Sequence, residues 1–73
     1  MKIYGYTKAN ESDLQEMSEI SLQGSYEQLV KISQFILKYA EVMKREGNRF
    51  EHAHIKDDVK EWDARFPEII VSK

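Results

Sequence analysis

The stretch Ser25-Tyr26-Glu27-Gln28 opens a helix long enough to dictate how the rest of a 73-residue chain is arranged. Gly24 breaks the pattern before it. Ser25 then fits an N-cap, with Gln28 at the third helical position placed to reach back to the cap. Beyond it, Leu29, Ile32, Ile36, Tyr39, Ala40 and Met43 recur at three- and four-residue spacing, the period of one helical face. Phe35 and Val42 widen that stripe, while Lys31, Lys38, Glu41 and Lys44 lie off it, where charges stay hydrated. Lys44 and Arg45 suit the negative end of the helix dipole, and Gly47-Asn48 supplies a left-handed stop. The spacing predicts a helix over 26–46.

The flanks have a different period. Lys2 to Thr7 is short and aromatic, as a strand would be. Ser18 to Gln23 alternates, with Ile20 and Leu22 on one side and Glu19, Ser21 and Gln23 on the other. The polar run 8–13 between them reads as the turn of a hairpin. Alternation returns from Arg49 to Ile55, and Glu68 to Ser72 carries apolar residues on both faces. Between these two strands, Asp58-Val59-Lys60-Glu61 is able to cap one helical turn that brings Val59, Trp62 and Phe66 inward, with Pro67 ending it; an irregular loop fits the same ten residues. The expected fold is α+β: a four-stranded antiparallel sheet in the order β-β-α-β-β, with one long helix packed on one face.

A chain of this length is a single domain, 1–73, and buries only about 60% of the surface its unfolded form exposes. Small domains compensate with disulfides, structural metals or self-association. The absence of cysteine removes disulfides and thiolate zinc sites, and suits a reducing compartment. One helix covers one face of a sheet, so large apolar groups remain on the other. Either Trp62 and Phe66 fold back over them, or a partner does, and a homodimer is expected.

Eleven basic residues against thirteen acidic ones give a net charge of -2, the wrong balance for a nucleic-acid binder. Apolar runs reach only three residues, far short of the ~20 that span a bilayer. Met1-Lys2 leads straight into Ile3-Tyr4-Gly5-Tyr6 without a signal-peptide core. The expectation is a cytoplasmic protein with neither nucleic-acid nor membrane partners.

The two histidines of the chain, His52 and His54, flank Ala53. On a strand they project from one face together with Phe50. Paired imidazoles bind transition metals, but a closed site needs three or four ligands. Candidates among Asp57, Asp58 and Asp63 have no diagnostic spacing, so neither a metal nor another cofactor is expected. The histidines are read as surface or interface residues. Asp57, Asp58, Glu61 and Asp63 form a local acidic run, a polar loop by default and also a surface that pairs with a basic partner. Trp62 is read as core. No cysteine nucleophile, phosphate-binding glycine loop or Ser-His-Asp spacing is present, so no enzymatic activity is expected.

The stretch Phe50-Glu51-His52 with His54, after a long amphipathic helix and before a tryptophan and the strand Pro67-Glu68-Ile69-Ile70-Val71, resembles one of the small immunity-protein families of bacterial polymorphic toxin systems. The similarity runs from the helix to the C-terminus and is weaker over the first hairpin. It implies an α+β domain that binds a cognate protein toxin and neutralises it, with no catalytic residues to carry over. Glu51, His52, His54, Asp57, Asp58, Glu61 and Asp63 are then the expected partner-binding residues. The alternative is a non-enzymatic homodimeric structural or regulatory module, metal-responsive through His52 and His54.

Overall fold

A computed structural model describes residues 1–73. Its elements are β1 (Ile3–Thr7), β2 (Asn10–Met17), α1 (Tyr26–Glu46), a 3-10 turn (Gly47–Arg49), β3 (His52–His54), α2 (Ile55–Asp58) and β4 (Ile70–Ser72). The chain is α+β with one long helix and two small antiparallel sheets.

Helix α1 has the expected bounds, for the expected local reasons. Ser25 Oγ accepts the Gln28 N–H at 3.1 Å, and Gln28 Oε1 accepts the Ser25 N–H at 2.8 Å. Two donors at the helix start are thereby satisfied reciprocally. At the other end Gly47 adopts φ 57° and its N–H returns to the Met43 carbonyl. A side chain at that φ would be strained, so glycine ends the helix there.

The inward face of α1 differs from the expected stripe. Ile32 and Phe35 are its buried residues, with Tyr39 packed beside them. Leu29, Ile36 and Ala40, expected to face inward, are exposed. The helix is rotated so that Phe35, its largest apolar side chain, enters the core. Ile55 and Trp62 complete that core, and Ala53, Val59, Phe66, Ile69 and Val71 pack around it. Trp62 is thus core, as expected.

The four strands do not join into one sheet. β1 pairs only with β2, and β3 only with β4. The hairpin turn explains the difference. Asn10 donates its N–H to Thr7 Oγ1 at 3.0 Å, closing the turn at once and starting β2 at Asn10 instead of Ser18. The strand expected over 18–23 is replaced by an irregular connection, and Ile20 and Leu22 are carried on it. The polar segment Asn10–Glu16 becomes the strand, with little apolar surface to bury against the helix. No residue before Ile32 belongs to the hydrophobic core or to the side chains packed against it.

In the C-terminal half, β3 and β4 pair His52 with Ser72, Ala53 with Val71 and His54 with Ile70. The helical turn expected from Asp58 onward does not form: residues 59–69 are the irregular alternative, and the one helical turn of this region is at Ile55–Asp58. Ile55 sets that position: it is 0% exposed, and its N–H donates to the Ile69 carbonyl at 2.9 Å. Residues 59–69 then cross the core as irregular chain. The Trp62 indole N–H donates to the Pro67 carbonyl at 2.9 Å, and its ring meets Phe66 edge-on.

Candidate functional site

The residues singled out by sequence lie just before and on β3, on α2 and in the chain that follows, and the core beneath determines what each side chain does. His52 and His54 project from the same side of β3, their ring centroids 5.1 Å apart. They differ in surroundings. The His52 ring is exposed and makes no hydrogen bond, whereas His54 is half-buried, with Nδ1 3.3 Å from Glu68 Oε2. The other Glu68 oxygen accepts the N–H groups of Lys56 and Ile69 at 3.1 and 3.2 Å. One carboxylate therefore ties the imidazole to the backbone on both sides of the site. Phe50, expected to share the histidine face, lies before β3; it is buried and packs near the Tyr39 ring.

The acidic run separates into two kinds of residue. Asp58 is engaged: its Oδ1 accepts from Lys38 Nζ and from the Tyr39 hydroxyl, both at 2.7 Å. Asp63 accepts from the Arg65 backbone and guanidinium. Both carboxyl groups are accordingly held below the usual aspartate value: Asp58 by the Lys38 and then the Tyr39 hydrogen bond, Asp63 by the Arg65 side chain and then its backbone N–H. Glu51, Asp57 and Glu61 are exposed, and their side chains make no hydrogen bond or ion pair. Tyr39, His52, Ala53, His54, Asp57 and Asp58 line a shallow depression of about 290 Å³. No group of three or more His, Asp and Glu side chains is placed to hold a metal ion.

Lys38, Tyr39 and Glu68 belong to this site although sequence reasoning did not assign them to it. They meet their partners across 14 to 20 residues of chain, a separation at which spacing carries no signal. Tyr39 at least lay on the apolar stripe of α1, one residue after a lysine.

A pH dependence follows from the Asp58 bonds. A carboxylate whose folded pKa is depressed contributes stability above its unfolded pKa, and that stability is lost as pH falls through the folded value. Acid titration should therefore destabilise the protein below the ordinary value of 3.8, with Asp58 and Asp63 both contributing. Tyr39 acts at the opposite end. Its hydroxyl donates to Asp58, which raises its pKa, so its contribution is full below 10.0 and declines as pH rises through the raised value. Asp58→Asn should flatten the acid limb and weaken the alkaline one, as read from melting temperature against pH.

No protein-family model, curated protein or solved structure matches the chain. No helix is long and apolar enough to cross a membrane.

Proposed function

We propose that this chain is an immunity-type inhibitor: it binds a toxin domain and neutralises it by covering the toxin's working surface. The observation that carries this reading is the fixed platform at β3 and α2. Glu68 holds His54, Lys38 and Tyr39 hold Asp58, and the core residue Ile55 lies between them. Around that platform Glu51, His52, Asp57 and Glu61 are open to a partner. Pre-organised polar groups beside unpaired acids suit recognition of a basic surface, because little ordering is required on binding. The resemblance carried by Phe50, Glu51, His52, His54 and the Pro67–Val71 strand supports the class of partner. Toxins that act on nucleic acid present basic clefts, and acidic side chains there speed the encounter.

The test is co-expression with the toxin domain encoded beside this gene, which the intact chain should render harmless. Asp57→Lys combined with Glu61→Lys should weaken binding and protection, mainly through a slower, less salt-sensitive association. Circular dichroism should stay unchanged, because both side chains are exposed and unbonded. Asp58 is excluded from this pair because its carboxylate is used within the fold. Absence of any neighbouring toxin gene, or failure of the purified proteins to bind, would overturn the reading.

A further inference from the structure

The chain exposes more surface than a compact monomer of its mass. Its accessible area is 6372 Å² for 8.6 kDa, whereas folded monomers of that mass average about 4,700 Å². The excess is about 1,700 Å². The radius of gyration agrees: 13.0 Å against about 11 Å for a compact chain of this length. Most of the exposed large apolar side chains lie in two regions, Ile70 on β4 being outside both. Hairpin β1–β2 and the connection after it expose Tyr4, Tyr6, Leu14, Ile20 and Leu22, and contribute nothing to the core. Helix α1 has a second apolar stripe, turned away from the core, where Leu29, Val30, Ile36 and Leu37 are exposed; Leu37 is 61% exposed. Ser33 and Ala40 continue that stripe, Lys44 stands at its C-terminal end, and the helix's other charged side chains lie beside it or on other faces.

We infer that two copies of this chain associate reciprocally, the hairpin arm of each lying on the outer stripe of the other's helix α1. Three observations point to a second copy. The first is area: about 1,700 Å² from each chain gives a total in the range of obligate homodimers, about 2,000–5,000 Å². The second is that both apolar surfaces occur on one chain yet stay apart in it, so a two-fold exchange covers both at once. The third is charge. Residues 1–24 carry two lysines against four acids, for -2, whereas α1 (Tyr26–Glu46) carries four basic residues against three acids, for +1, with Lys38 among them paired to Asp58. Arm and helix are complementary in sign as well as in polarity. An isolated two-stranded hairpin is marginal in water, and a partner's helix gives it a surface to pack on.

Light scattering and sedimentation on the purified chain at micromolar concentration test this without any toxin. The expected mass is twice 8.6 kDa. Tyr4→Glu on the arm, or Leu37→Glu on the helix, should each weaken association by at least about tenfold, because each buries a charge at the contact. Both positions are exposed in the single chain, so helix content by circular dichroism should not change. Gln34→Glu, on the polar side of α1, should leave the dimer intact. Mixing the two weakened variants should regain dimer, because the mixed pair keeps one unaltered arm on one unaltered helix. A monomer mass for the unmodified chain would overturn the inference, including one in which the arm folds onto its own helix. So would a dimer that tolerates both substitutions, or a mixture that regains nothing.

Discussion

Phe35→Ala is expected to lower the stability of the protein by about 3–5 kcal/mol, the usual cost of emptying a buried phenylalanine site. The total available to a chain of this length is only about 4–11 kcal/mol, so the melting temperature should fall by more than about 10 °C. The effect is large because the site cannot collapse. Phe35 is 2% exposed in the middle of α1, packed with Ile32, Ile55 and Trp62 and edge-on to Tyr39 at 5.2 Å. The helix backbone fixes its Cα, and the chain on the opposite side is held by the Ile55–Ile69 hydrogen bond. Gln34→Ala, one residue away on the solvent side, should stay within about 0.5 kcal/mol of the parent. Thermal melts by circular dichroism compare the two directly. Equal melting temperatures for both variants would show that the core is assigned to the wrong helix face.

Trp62→Ala should cost a comparable amount, about 3–5 kcal/mol, but with a more local signature. Residues 59–69 have no regular secondary structure, and the indole is the one fully core side chain among them. The ring packs into the core, meets Phe66 at 5.2 Å, and donates to the Pro67 carbonyl. Removing it leaves that carbonyl without its partner and Phe66 without its neighbour. Amide hydrogen exchange should therefore rise first across 59–69, and at the Ile55 amide, whose acceptor is the Ile69 carbonyl. Trp62→Phe retains part of the packing but loses the hydrogen bond and some buried ring volume, so it should cost about 1–3 kcal/mol, less than the alanine variant. If the two variants were equally destabilised, the hydrogen bond would outweigh the packing.

Much of α1 was legible in the sequence because its signals are local. The Ser25–Gln28 capping box and the Gly47 stop each act within four residues, and both ends fell where those residues put them. Its rotation was less legible. Ile36 and Phe35 are neighbours, and period alone does not say which enters the core; Ile55 and Trp62, far along the chain, decide it. The hairpin differs from the alternating pattern for a related reason. Ile20 and Leu22 alternate as a strand should, yet the Thr7–Asn10 turn closes earlier and pairs a polar segment instead. At the site, the shared face of His52 and His54 follows from strand period. The division of the acidic run into bonded Asp58 and Asp63 and open Asp57 and Glu61 does not. For Asp58 it depends on Lys38 and Tyr39, side chains that folding alone brings near.

The separation of hairpin and core has a spectroscopic consequence. Trp62 is the chain's one tryptophan and sits in the C-terminal core, while Tyr4 and Tyr6 lie on the arm. Tryptophan emission therefore follows the loss of the core and does not report directly on the arm. Amide signals from residues 3–17 follow the arm. Coincidence of those two transitions is the criterion for a single cooperative unit. In one chain by itself the arm has no packed link to the core that would make them coincide. A tryptophan melting curve measured alone thus describes the stability of the core around Trp62, whatever the first seventeen residues are doing.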